Sequence, residues 1–145
     1  MTTTFRADTV AGIKAVLDAF VAAHPTLLLR AYSARPESFP DLPCAYVDYR
    51  SEAINHSQGV RDRQLNGLSF KVVDRITNND ETMQRMDILV DALIEHLTAY
   101  PQLGGTVGIW IRLTVTDEDA PFGDYDFFGV RFGFPDISIQ EGRHP

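Results

Sequence analysis

The stretch GLSFKVVDR, residues 67–75, shows a clear period-two alternation of apolar and polar side chains. The large apolar residues at every second position are Leu68, Phe70 and Val72. Successive side chains of a β-strand point to opposite faces, so this spacing predicts a strand with one face in the core. Ser69 and Lys71 lie between the apolar residues and are predicted to face solvent.

An amphipathic helix is predicted on each side of the strand. In the helix that follows, residues 78–80 supply turn and capping groups. Its apolar stripe consists of Met83, Met86, Leu89, Val90, Leu93, Ile94 and Leu97. In the helix that precedes, Asp8 or Thr9 is the predicted cap, and Pro25 ends the helix. The stripe of that helix consists of Val10, Ile13, Val16, Leu17, Phe20 and Val21.

Further strands are predicted at residues 28–32, 45–49, 107–115 and 125–134. Three prolines make residues 35–43 a loop, because each fixes φ and removes a backbone donor. Residues 51–64 are polar and contain a glycine, and they form either a long loop or an extended hairpin tip. Loops of that length in a compact domain tend to be functional or disordered.

Together these elements predict an α+β fold: a mixed, mainly antiparallel β-sheet with two amphipathic helices packed on one face. At 145 residues the chain is expected to form a single domain, residues 1–145. Residues 136–145 are expected to be a flexible tail that leaves the sheet after Pro135.

Composition excludes several classes of protein. The chain has 20 acidic and 13 basic residues and a formal net charge of −7, so direct binding of nucleic acid is disfavoured. Cys44 is the only cysteine, which excludes an internal disulfide and a cysteine zinc cage. It is expected to be a small, partly buried hydrophobic residue. The N-terminal residues resemble no signal peptide, so a cytosolic chain at synthesis is expected.

No catalytic motif is present in the sequence. There is no G-x-S-x-G elbow, no phosphate-binding glycine loop and no H-E-x-x-H metal motif. His24 and His96 fall in the last turns of the two helices, where an interaction with the helix dipole accounts for them. We therefore expect a protein that is not an enzyme and that has neither a cofactor nor a metal ion.

An acidic turn is predicted at residues 117–124. The acidic residues in and beside it are Asp117, Glu118, Asp119, Asp124 and Asp126. Three interpretations remain open: a solvated hairpin turn, a surface that forms salt bridges with another copy, and a calcium site. A calcium-binding loop would show the pattern D-x-D-x-D-G, and this segment lacks it. For the intersubunit surface, Arg61 and Arg63 of a neighbouring copy are the expected partners. Trp110 is either an outward interface anchor or covered by a second layer of helix.

The order of elements from residue 43 to residue 134 resembles that of tail terminator (tail completion) proteins of long-tailed phages and prophages. The matching stretches are PCAYV at 43–47, LSFKVVDR at 68–75, the helix with Met86, Leu89, Val90, Leu93 and Leu97, Leu103 before a glycine turn, and the strand at 124–134. The first helix and the strand at 28–32 agree as well, so the resemblance covers about residues 8–135.

This resemblance implies a structural protein of the virion. Such proteins form a hexameric ring at the head-proximal end of the tail, cap the tail tube, stop its polymerisation and present the head-joining surface. The implied partners are further copies of the chain, the tail-tube protein and a neck or head-completion protein. DNA would pass through the lumen without specific binding, and no membrane is involved. Assembly would take place in the host cytoplasm.

The expected interface residues are Arg61, Arg63, Trp110, Asp117, Glu118, Asp119 and Asp124. The alternatives are another neck or head–tail connector protein, a tail-tube-like protein, and, less in keeping with the sequence, a small enzyme or an adaptor domain. A tube protein would polymerise alone into filaments, whereas a terminator would stay as rings or monomers until it meets tube ends.

Overall fold

The computed structural model describes residues 5–39, 41–57, 60–76, 79–102, 112–119, 127–135 and 139–140. Within these ranges it contains two helices and six strands. They are α1 (Phe5–Ala23), β1 (Arg30–Tyr32), β2 (Cys44–Ser57), β3 (Val60–Arg75), α2 (Asn79–Thr98), β4 (Thr114–Asp119), β5 (Phe127–Phe134) and β6 (Ile139–Gln140).

The strands form one sheet in the order β1-β2-β3-β5-β4, with β6 paired to β3 beside this path. β1 pairs with β2 in parallel, and the other pairings are antiparallel. The predicted class, α+β with a mixed and mainly antiparallel sheet, is therefore confirmed. β3 is the central strand, because it pairs with β2 along one edge and with β5 along the other.

One face of the sheet carries the apolar core under both helices. Phe70 of β3 stacks on Phe132 of β5, with ring centroids 4.9 Å apart and an interplanar angle of 5°. The helices contribute the buried residues Ile13, Val16, Leu17, Phe20, Met86, Leu89, Leu93 and Leu97 to this cluster. His96 also connects the two helices, because its Nε2 lies 2.9 Å from the backbone carbonyl oxygen of Val16 on α1. We call this side of the sheet the helix face.

The opposite side of the sheet, which we call the open face, is also partly buried. Ser69 and Lys71, predicted to face solvent, are only 4% and 7% exposed. Part of the cover comes from the loop after β1, where Phe39 makes an edge contact with Phe127 at 5.1 Å between ring centroids. This loop belongs to a second small apolar cluster with Cys44, Tyr46 and Val73. Alternation identified the faces of β3 correctly but could not show that both are covered.

Several boundaries differ from the predictions. Residues 117–119 belong to strand β4, paired with β5, and are not a turn. The expected tail contributes a strand, since Ile139 and Gln140 pair with Leu65 and Gln64 of β3. α1 begins at Phe5 and places Asp8 in its first turn, so neither predicted residue caps it.

Residues 51–57 and 60–64 extend β2 and β3, which settles the earlier alternatives in favour of an extended hairpin. The predicted strand at 107–115 is seen only from Thr114 onward, and residues 107–111 lie outside the described residues.

Candidate interaction surfaces

The far half of the β2–β3 hairpin projects beyond the sheet. β5 pairs with β3 only from Leu68 to Arg75, and β6 contacts it at Gln64 and Leu65. Within the described part of the chain, residues 53–57 pair with β3 alone, and residues 60–63 pair with β2 alone. We call residues 53–57 and 60–63 the arm. At about 3.4 Å per residue, five residues give the arm a reach of about 17 Å.

The arm carries exposed apolar surface. Ile54 is 58% exposed, and His56 further along the same strand is also exposed. In the register of the hairpin Ile54 is opposite Arg63, and His56 is opposite Arg61. The structure describes only the backbone of these two arginines. A two-stranded hairpin without a third strand or a covering helix is marginally stable in water. Among the described residues, none supplies the arm with the packing that normally supports such a ribbon.

A network of ion pairs crosses the open face of the sheet. Lys71 Nζ lies 3.2 Å from Glu118 Oε2, and Arg131 Nη1 lies 2.9 Å from Glu118 Oε1. The other guanidinium nitrogen of Arg131, Nη2, pairs with Asp48. The network therefore joins β2, β3, β5 and β4, and its two cations balance its two carboxylates. The side chain of Lys71 is only 9% exposed, which makes its carboxylate partner important for stability.

A cavity of about 350 Å³ lies beside this network. Ser69, Thr114, Arg131 and Gly133 contribute to its wall. The Oγ of Ser69 and the Nε of Arg131 are buried without a hydrogen-bond partner. Asp48 also lines the cavity, but Arg131 binds its carboxylate, so it is not a free base for the serine. The cavity therefore offers hydrogen-bonding groups but no activated nucleophile.

The acidic strand β4 lies at one edge of the sheet path. Asp117 is exposed there, whereas Glu118 is committed to Lys71 and Arg131 of its own chain. Of Asp119 only the backbone is described. Trp110 and Asp124 lie outside the described residues. Of the seven expected interface residues, the structure thus gives the side-chain surroundings of Asp117 and Glu118, and it places Arg61 and Arg63 on the arm, far along the hairpin from β4.

An apolar recess lies beside α2 on the helix side of the molecule. It measures about 100 Å³, and its apolar wall consists of Leu27, Pro43, Met86, Ile88 and Leu89. At its edge the guanidinium of Arg85 donates to Asp74 Oδ2 from Nη2 at 3.0 Å and from Nε at 3.2 Å. Ile88 is 60% exposed, although it is a large aliphatic residue. We call this site the recess.

Cys44 is fully buried between β1 and β3. Burial, with a smaller contribution from the carboxylates of Asp41 and Asp74, raises the pKa of its thiol to about 12. Burial also raises the pKa of Tyr46 on the same side of the sheet, with Asp48 adding to the effect. At neutral pH the thiol is protonated, and a protonated thiol is a poor nucleophile. The expected hydrophobic role of Cys44 agrees with this environment.

Two features of these surfaces had a weak signal in the sequence. Ile54 is the one large aliphatic residue in the polar run SEAINHSQG, and Ile88 stands off the buried stripe of α2. A single exposed aliphatic residue is common on protein surfaces, so each of these gains weight only from its position, Ile54 on the arm and Ile88 at the recess. The ion-pair network gave no comparable signal, because it depends on which strands are neighbours.

Among the described residues no group of three or more histidine, cysteine, aspartate and glutamate side chains could hold a metal ion. Neither described helix has the length and apolar character that a membrane-spanning helix requires. No protein-family model matches the chain, and no curated protein is significantly similar to it in sequence.

Proposed function

We propose that this chain is a structural protein of a phage tail, a tail terminator that assembles into a ring at the end of the tail tube. In this role it stops the polymerisation of the tube and forms the surface to which the head is joined. The observation that carries the proposal is the arm: a two-stranded ribbon with an exposed isoleucine and no third strand among the described residues. Such a ribbon is suited to packing against another subunit.

The asymmetry of the molecule supports a ring. The arm projects past one end of the sheet, while the recess lies by α2, so two different patches are available for contact between copies. A contact between unlike patches generates a closed ring or an open filament, depending on the rotation between neighbours. A ring subunit also needs no catalytic group, and the described residues offer no activated nucleophile.

The charge of the chain also suits a passage for DNA. With a net charge of −7 the protein has no excess of cations to hold phosphates. DNA would therefore pass through the lumen of the ring without specific binding. The proposed location is the head-proximal end of the virion tail, after assembly in the host cytoplasm, with the tube protein and a neck or head-completion protein as partners.

The first test of this function is the oligomeric state, with and without tube ends. Size-exclusion chromatography with light scattering and negative-stain imaging should give rings of about six subunits, or monomers that cap added tail tubes. Long filaments formed by the chain alone would point to a tube protein instead. A fixed dimer that ignores tube ends would contradict the proposal.

Charge reversal on the arm gives a second readout of the same function. Arg61→Glu with Arg63→Glu should abolish ring assembly and leave tails of uncontrolled length. The control is Lys14→Glu with Arg30→Glu, which makes the same change of net charge at two cations outside the arm, each in an ion pair within its own chain. Normal assembly of the arm variant, or equal loss in the control, would show that the arm is not the contact region.

A further inference from the structure

The size of the recess matches that of one aliphatic side chain of the arm. An apolar cavity of about 150 Å³ takes up a molecule as large as benzene, so a recess of about 100 Å³ is suited to one aliphatic side chain. Ile54 is such a side chain, and it is 58% exposed on the arm. Ile88 at the rim of the recess is 60% exposed and would be covered by an occupant. Both exposed isoleucines would thereby lose contact with water.

The charges of the two regions are opposite. α2 carries the acidic residues Asp80, Glu81, Asp87, Asp91 and Glu95 against the single cation Arg85, a net charge of −4. Arg63 is opposite Ile54 in the hairpin register, Arg61 lies two residues away, and Asp62 between them leaves the arm a net charge of +1. An arm that brings these arginines to α2 would place positive charge against negative charge. Such complementarity raises the association rate and disfavours other partners.

The acidic residues of α2 are also arranged unfavourably for an isolated chain. Asp87, Asp91 and Glu95 follow one another at intervals of four residues, which places like charges beside each other on the helix surface. Each such pair of like charges destabilises a helix. Asp91 lies three residues after Ile88, so it is next to the rim of the recess. A cation from a second molecule at this place would relieve the repulsion.

We infer that the arm of one copy docks on α2 of the next copy, with Ile54 in the recess and the arginines of the arm against the acidic row. This inference rests on the proposed ring assembly and names the two patches that form its repeated contact. The patches differ, so every copy can give one arm and receive another, as a closed ring requires.

Disulfide trapping between two variants tests the contact directly. A chain with Ile54→Cys is mixed with a chain carrying Ile88→Cys under mild oxidation at neutral pH. Both positions are exposed, and the native Cys44 is buried with a pKa of about 12, so the wild-type chain provides the blank. The control replaces Ile88→Cys by Ile94→Cys, an exposed residue on the same helix that does not line the recess.

We expect roughly tenfold more cross-linked dimer from the pair at positions 54 and 88 than from the control pair, because a disulfide needs Cα atoms within about 7 Å. Equal yields from the two pairs would overturn the docking. Rings that still form and still cap tubes in that case would leave the proposed function intact. Loss of rings and of capping in the wild-type chain would instead contradict the proposed function itself.

A charge swap provides a second test of the contact. Arg63→Glu should weaken self-association about tenfold, and Asp91→Arg in the same chain should restore it, because each reversed charge then meets an opposite one. Failure of the second substitution to restore association would overturn the assignment of the acidic row. If Ile54→Ser abolished capping of tubes but left self-association unchanged, the arm would bind the tube protein, and the inference would be wrong.

Discussion

The β2–β3 hairpin has two ends that are made from the same two strands but are stabilised very differently. At the sheet end of the hairpin, near Cys44 and Arg75, β3 has a strand along each edge. The two helices pack on its helix face, and the ion-pair network lies on its open face. In the arm the two strands pair only with each other within the described residues, and Ile54 is 58% exposed. At the sheet end, the contacts that stabilise the two strands all lie within one chain. Within the described residues the arm has no such support, and under the proposed function a neighbouring subunit would supply it.

Under the proposed function, this comparison separates positions that determine folding from positions that determine assembly. Substitutions at the sheet end should change the free energy of unfolding, because they create cavities or leave buried charges without partners. Substitutions in the arm should change self-association and leave the isolated chain as stable as before.

Phe70→Ala should be the most damaging change. Phe70 is fully buried and packs on Phe132, with Phe134 at 6.4 Å between ring centroids. Deletion of a buried phenyl ring costs about 3–5 kcal/mol. Urea denaturation followed by circular dichroism measures the loss. Phe70→Leu is the control and should cost less, because it leaves a smaller cavity. If Phe70→Ala cost as little as an arm substitution, the proposed division between the two ends would be wrong.

The ion-pair network should show a smaller and asymmetric effect. Glu118→Ala leaves Lys71 buried without a carboxylate and should cost about 2–3 kcal/mol, since removing one partner of a buried pair is strongly destabilising. Lys71→Met removes the cation itself, leaves Glu118 paired with Arg131, and should change stability by less than about 1 kcal/mol. Thermal and urea denaturation of both variants provides the comparison. Equal losses would show that the network acts through packing alone.

The arm should give the smallest effect on the stability of the single chain. Ile54→Ser should change the free energy of unfolding by less than about 0.5 kcal/mol, because the side chain is largely exposed. Hydrogen exchange adds a local readout: amides of residues 53–56 should exchange rapidly in the monomer and slowly after assembly. Strong protection of these amides in a monomer would mean that the arm is stable by itself.

The sequence predicted the sheet end of the hairpin better than the arm. The alternation of Leu68, Phe70 and Val72 identified the face that meets the helices, because burial on that face follows directly from the apolar pattern. Lys71 was assigned to solvent, since a lysine in an alternating strand normally faces water. Its burial depends on Glu118, which lies 47 positions later and becomes a neighbour only through the sheet order.

The limits of residues 51–64 and of the acidic segment were harder to predict for a related reason. A polar run without periodicity is compatible with a loop or with a ribbon, and only the pairing of Ile54 with Arg63 distinguishes them. Similarly, residues 117–119 have the composition of a turn, yet they pair with β5. The ion-pair partners of Glu118 lie within the sheet and neutralise its carboxylate. This reduces the repulsion among the acidic residues of β4.

The central position of β3 also has a consequence for the chain while it is being made. β2 precedes β3 and can pair with it early, but β5 begins at Phe127, 52 residues after the end of β3 at Arg75. At about 5–20 residues per second, a ribosome needs about 3–10 s to make that interval. During those seconds β5 does not yet exist, so Phe70 and Val72 of β3 lack their partner strand. The pairing of β5 with β3 is what closes this edge.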